Sequence, residues 1–247
     1  MFTASIITTS LNSEKTIKDT INSVNQQTFK NIEHIFIDGN SIDNTIKIIK
    51  DNKQKNSILI SEKDNGIYDA MNKGIKLSKG EIIFILNSDD TFYNNSIVQN
   101  VINIFTKNID LELIYGNLIY TKDKDVVRKW KSGNFKPGSF LKGWCPPHPS
   151  FIVKKRIYEK YGLFNLSYKF AADLEIMYRF LEKFKCKHYY FDEYIIDMKI
   201  GGVSNKNLIN IIKQNYENIK IFNNDEDFNL LKFLYYKFKH RYNQFIK

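Results

Sequence analysis

The chain predicts an α/β fold in which parallel strands are joined by crossover helices. Three observations in its first hundred residues carry this. Short β-branched runs alternate with stretches of helical periodicity, each run stops at a cluster of polar and acidic residues, and Ile82-Ile83-Phe84-Ile85-Leu86 is apolar without a break, as in a strand covered on both faces. Ser5 to Thr9 reads as the first strand. Asn12 and Ser13 are good caps for a helix carrying Ile17, Ile21 and Val24 on one face, and Ile32 to Asp38 returns as the second strand. Ile46, Ile48 and Ile49 mark a second helix after Asp43, Ile58 to Ile60 a third strand, and Tyr68 to Leu77 a helix with Met71 and Ile75 spaced by four.

After about residue 110 the segments become longer and richer in aromatics, with a Gly/Pro stretch from Lys136 to Pro149 that suits loops. A helix is expected from Ala171 to Phe184, a strand from His188 to Ile196, and two basic, aromatic helices at Asn207 to Phe222 and Phe228 to Phe245. There is no internal repeat and no low-complexity linker, so one compact domain over 1–204 with an extension at 205–247 is expected.

At 247 residues with 43% hydrophobic and 26% charged side chains, the composition excludes a disordered chain or a disulfide-stapled miniprotein. No apolar run approaches the roughly 18 residues of a membrane-spanning helix and no leader pattern opens the chain, so a cytoplasmic protein is expected. Cys145 and Cys186 are far apart and read as ordinary thiols. The 37 Lys and Arg against 27 Asp and Glu give +10 and favour a negatively charged partner, which composition alone does not choose.

Ligands of open α/β sheets bind beyond the carboxyl ends of the strands. Here those ends are Thr9-Ser10-Leu11-Asn12, Asp38-Gly39-Asn40-Ser41-Ile42-Asp43, Glu62-Lys63-Asp64-Asn65-Gly66 and Asn87-Ser88-Asp89-Asp90. Neither the Gly-rich dinucleotide loop nor the Lys-bearing phosphate loop is present, so phosphate needs another partner. Paired carboxylates suit a hard divalent cation with open positions for diphosphate oxygens. Adjacent acids repel, which points Asp89 to ribose or metal and Asp90 to metal. Asp38 and Asp43 have two roles open to them, capping of a turn and helix or contact with base and ribose, and the company of the other strand ends favours the second.

These strand ends together resemble the inverting, GT-A group of family 2 glycosyltransferases. Ile7 to Asn12 looks like its first-strand motif, Ile37 to Thr45 like its second, and Asn87 to Asp90 like its D-x-D region; Glu62 to Gly74 is similar to a segment of a bacterial branch that builds surface polysaccharides. Gly39 stands where many members carry a second acid, and Asn87 where many carry the first acid of D-x-D. The resemblance covers about residues 3 to 200. It implies a GT-A mixed sheet with a nucleotide-sugar half at 1–110 and an acceptor half at 111–204. It also implies a nucleoside diphosphate sugar donor, with UDP favoured, contacted by Thr9, Asp38, Asp43, Asp64 and Asp89, and Mn²⁺ or Mg²⁺ on Asp89 and Asp90. The acceptor it implies is a glycan or lipid-linked glycan of the cell surface.

An alcohol acceptor needs a base. Asp173, at the head of a predicted helix in the acceptor half, is the expected one and matches the base position of the family; Glu175, two residues on, faces elsewhere. His148 is fixed between prolines and is a candidate for metal, diphosphate or acceptor. Leu230, Leu231, Leu234, Tyr235, Phe238 and Tyr242 can gather on one side of the last helix among lysines, which suits either an anionic membrane surface or packing on the domain. A nucleotidyltransferase and a basic binding protein are the alternatives. The first lacks its Gly-rich N-terminal signature between Thr8 and Lys15, and nucleic acid does not explain four acidic strand ends.

Overall fold

The computed structural model describes residues 2–123, 125–200, 208–223 and 225–245. Strands β1 (Ala4–Ser10), β2 (Ile32–Asp38), β3 (Ile58–Ser61) and β4 (Ile82–Ile85) run parallel in the order β3-β2-β1-β4. Parallel neighbours need crossovers, and α1 (Ile17–Asn25), α2 (Thr45–Asn52) and α3 (Ile67–Leu77) supply them. Helix α3 starts one residue before the predicted position, where Gly66, at φ 107°, turns the chain into it. Alternation along β1 divides the core: Ile7 faces α3, while Ile6 faces the layer that holds α4 (Ile97–Lys107). Helix α3 sits close on β1 because position 74 is glycine; a Cβ there would lie 2.3 Å from Ile7 Cγ2.

Beyond β4 the sheet turns mixed. β8 (Phe151–Lys154) joins β4 antiparallel, β6 (Leu113–Lys122) follows it, β9 (His188–Lys199) runs parallel to β6, and β5 (Asp90–Phe92) closes the edge. β7 (Asp125–Trp130) is a further partner of β6. The sequence expectation contains none of β5 to β8. β6 shows why: nine of its ten residues are buried, so it has no polar alternation to reveal a strand.

The helix expected at 171–184 is realised as α6 (Ala172–Tyr178), after α5 (Lys155–Tyr161), and then widens into a π turn over Arg179–Lys183. The last two helices, α7 (Leu208–Phe222) and α8 (Leu230–Asn243), fold back on the body. Phe222 lies 5.0 Å from Tyr178 and 5.5 Å from Phe233, ring to ring, and both phenylalanines belong to the core that holds α3 and α6. The expected boundary at 204 and the ends at 205–207 and 246–247 lie outside the described residues.

Candidate active site

The register of the first three strands decides the fate of Asp38. Ser10 pairs with Asp38 and Asp38 with Ser61, so the three side chains share one row of the sheet. Asp38 Oδ1 accepts from the hydroxyls of Ser10 (2.9 Å) and Ser41 (2.6 Å), and Oδ2 from the Ser61 hydroxyl and the Ser41 amide, each at 2.8 Å. Completely buried and fully engaged, it has no acceptor to spare for base or ribose. In this arrangement Asp38, expected at base or ribose, ties three strand ends together. Asp38→Ala leaves three hydroxyls and an amide unpaired, so an unfolding free energy lower by about 2–4 kcal/mol is expected in urea titration. A loss of nucleotide affinity at unchanged stability would contradict it.

Asp43, expected to contact the nucleotide, bonds the neighbouring backbone. Its Oδ1 accepts from the Thr45 amide at the head of α2 (3.0 Å) and its Oδ2 from the Glu14 amide (3.1 Å). Burial pushes its carboxyl up, but the bonds from Thr45 and Glu14 outweigh this and leave it below the usual range. Asp64 is different. One oxygen accepts from the Gly66 amide (2.9 Å), while Oδ2 fills the space beside Gly39, where a Cβ would come within 2.9 Å of it. Leu11, Ile42 and Ile67 are exposed near these strand ends.

At the end of β4, Thr9 donates to Asn87 Oδ1 (3.4 Å) and Asn87 Nδ2 donates to Asp90 Oδ2 (3.1 Å). Asn87, in place of an acid, thus bridges β1 to the start of β5. Asp90 is 0% exposed and, among the described residues, its Oδ1 has no hydrogen-bond partner. Burial, then the Asp89 charge, holds its carboxyl well above the usual range. Asp89 is only partly buried, and desolvation raises it too. The sequence expectation placed metal on both; Asp89 is the more exposed of the two and Asp90 is fully buried. Among the described residues no three His, Cys, Asp or Glu gather to hold a metal by protein ligands alone.

The acceptor half converges on Asp173. Its Oδ1 accepts from the Tyr68 hydroxyl (3.1 Å) and the Leu174 amide (2.8 Å), which leaves Oδ2 without a protein donor among the described residues. Tyr68 comes from α3 in the other half, and burial, reinforced by the Asp173 charge, pushes its phenol up. One turn further along α3, Asn72 bonds both backbone groups of Phe164, each at 2.9 Å, and Phe164 stacks on Tyr68 and meets the His148 ring edge-on at 5.3 Å. His148 is buried; desolvation lowers its pKa, against the charge of Asp173. Glu175 is taken up by a two-point bond to Arg179, at 2.8 and 2.9 Å. Burial pushes the Cys145 thiol up to about 12, so the thiol stays protonated.

The loop before Asp173 is held from the C-terminal extension. Glu217 on α7 accepts the amides of Lys169 (2.9 Å), Phe170 (2.8 Å) and Ala171 (2.9 Å) with one carboxylate. Sequence reasoning missed Tyr68, Asn72 and Glu217 as parts of this site. The first two carry a signal, a polar pair at i and i+4 within the segment after Gly66, whereas Glu217 is 44 residues from Asp173 and carries none.

Residues 5–170 match the family model described as Glycosyl transferase family 2. The chain belongs to that family. The PGL/p-HBAD biosynthesis glycosyltransferase of Mycobacterium tuberculosis is 27% identical over 186 residues, 71% of this chain and 68% of its own. An Escherichia coli relative, the UDP-Glc:alpha-D-GlcNAc-diphosphoundecaprenol beta-1,3-glucosyltransferase WfgD, is 32% identical over 130 residues, 52% of this chain and 51% of its own. The S. aureus TarS 1-349 structure in complex with UDP-GlcNAc superposes with a TM-score of 0.67 at 15% identity, covering 96% of this glycosyltransferase and 73% of TarS 1-349. The mannosyltransferase PcManGT from Pyrobaculum calidifontis, in complex with GDP-Man and Mn²⁺, gives 0.63 at 14% identity, covering 96% and 69%. The mixed sheet flanked by helices is the GT-A fold.

Proposed function

We propose that this glycosyltransferase moves a sugar, with inversion, from a nucleoside diphosphate sugar at the ends of β1 to β4 to an acceptor hydroxyl held at Asp173. The observation that carries the reading is the free Oδ2 of Asp173, fixed through its other oxygen to Tyr68 of the donor half. An in-line displacement needs its base on the acceptor side, opposite the departing diphosphate. Asp64, with Oδ2 beside the gap at Gly39, and exposed Leu11 and Ile42 support binding of a nucleobase by a carboxylate and apolar contact. Uridine is the favoured base, in line with the UDP-sugar relatives, and His148 lines the acceptor side as a neutral imidazole. Incubation with a panel of nucleoside diphosphate sugars and Mn²⁺ tests the reading: release of nucleoside diphosphate supports it, while release of pyrophosphate, or of neither, overturns it.

A divalent cation fits the end of β4. Asp89 would be its protein ligand, backed by Asp90, whose buried Oδ1 is unpartnered and whose carboxyl is strained toward the neutral form. The lack of a complete protein ligand set agrees with Mg²⁺ or Mn²⁺, which take one or two carboxylates plus phosphate oxygens and water. When bound, such a cation supplies Lewis-acid stabilisation of the leaving diphosphate.

The acceptor is proposed to be a glycan or lipid-linked glycan, as the diphosphoundecaprenol in the name of the E. coli relative suggests, and the site of action the inner face of the cytoplasmic membrane. Among the described residues no helix is long and apolar enough to cross a membrane. Helix α8 supports contact with an anionic surface. It packs inward through Phe233, and its opposite side leaves Leu231 80%, Tyr235 63%, Phe238 73% and Tyr242 60% exposed at spacings of four, three and four. The helix contains Lys232, Lys237, Lys239 and Arg241 and no acid. The packing expected of the tail is met through Phe233, and the opposite side is the one proposed for the anionic surface. Because Phe233 belongs to the core, deletion of the tail would damage the fold, and the informative variant is Tyr235→Ser with Phe238→Ser and Tyr242→Ser. Co-sedimentation with phosphatidylglycerol vesicles is expected for the intact protein and lost, by about tenfold or more, in the triple variant. Equal pelleting of the two, or none of the intact protein, would count against the surface.

A further inference from the structure

The loop before Asp173 and helix α7 border an open hollow of about 300 Å³ that is not part of the donor cleft. Its walls are aromatic, from Tyr168, Phe170 and Tyr216, and its charge comes from Lys169, Lys213 and Lys220. Two of the lysines face rings: Lys213 Nζ lies 5.9 Å from the Phe170 centroid and Lys220 Nζ 5.8 Å from that of Tyr168. Among the described residues none of the three pairs with a carboxylate. The cavity's single acid, Glu217, is spent on the amides of Lys169, Phe170 and Ala171. Three amines without a counter-ion therefore border a hollow whose floor is fixed by three hydrogen bonds.

We infer that this cavity is a subsite for the diphosphate group of a lipid-linked acceptor. Ammonium groups supply charge-assisted hydrogen bonds to phosphate oxygens. The tyrosine and phenylalanine faces offer apolar contact to what the phosphate carries on either side, sugar or prenyl chain. The position argues for acceptor rather than donor. The donor diphosphate belongs at the ends of β1 and β4, whereas this hollow is built from the acceptor-side loop and the C-terminal helix, three residues upstream of the proposed base. An acceptor anchored here by its diphosphate would hold its terminal sugar within reach of Asp173. The inference deepens the proposed transfer to a lipid-linked glycan and rests on that reading.

The test uses the full chain with saturating UDP and Mg²⁺, so that the donor cleft is filled; binding of UDP itself, measured first, examines the donor reading separately. Titration calorimetry then reads farnesyl diphosphate and inorganic pyrophosphate. Farnesyl diphosphate is expected to bind, and the exposed pair Lys213→Glu with Lys220→Glu to weaken it by about tenfold or more, as the loss of two charge-assisted contacts requires. A control of the same charge change on α2, Lys47→Glu with Lys50→Glu, should leave it within about twofold, since exposed charges at a distance are screened. No binding to the intact protein, or equal losses in both variants, would overturn the subsite. Pyrophosphate bound as tightly as farnesyl diphosphate would overturn the lipid-linked assignment, because the hollow would then recognise free phosphate alone.

Discussion

Asp173→Asn is expected to lower kcat by at least about 10²-fold while donor affinity changes little. The asparagine keeps a carbonyl oxygen where Asp173 Oδ1 now accepts from Tyr68 and Leu174, so loop and helix retain their anchor. What is lost is the basicity of Oδ2, and with it the removal of a proton from the acceptor hydroxyl as the new bond forms. Single-turnover rates with acceptor, set beside nucleotide titration, separate the two effects. Near wild-type kcat, or a loss explained wholly by weaker nucleotide binding, would remove Asp173 from the role. The search would then move to His148, because Glu175 is bound at both oxygens by Arg179.

Asp89→Asn should reduce kcat/KM by about 10²-fold or more and raise the Mn²⁺ concentration needed for half-maximal activity, since a Lewis acid at the leaving diphosphate is worth several kcal/mol. Burial already raises the Asp89 carboxyl. A proton therefore competes with the cation to a higher pH than at a surface acid, and apparent metal affinity should fall as pH falls. Full activity of the unaltered protein in excess EDTA would refute metal dependence, and an Asp89→Asn enzyme with an unchanged Mn²⁺ requirement would refute the ligand.

The parallel half of the sheet was legible because its strands are short, β-branched and punctuated by polar turns, and β1 to β4 lie where those runs place them. The roles of its acids were less legible. A carboxylate at a strand end looks the same in sequence whether it meets a ligand or its own chain, and only the row Ser10–Asp38–Ser61 shows that Asp38 is consumed internally. The depth of Asp90 was not legible for a related reason: alternation gives the side a residue faces, not how far the next strand, β9, covers it. The acceptor half hid more. β6 and β8 are buried too evenly to alternate, and its machinery joins Tyr68 to Asp173 across 105 residues, a distance over which no local pattern speaks.

The three-amide seat of Glu217 sets a rule for anyone recombining such enzymes. Acceptor preference could be altered by grafting the second half of one chain onto the first half of another, with the join placed where similarity fades. Here the family match fades at residue 170, between two of the amides that Glu217 grips, Phe170 and Ala171. A chimera cut there and completed with a foreign tail would inherit the loop without its clasp. The smallest transferable cassette therefore runs from the Phe164 anchor through the end of α7, and a graft that stops short of Glu217 should fold yet turn over slowly.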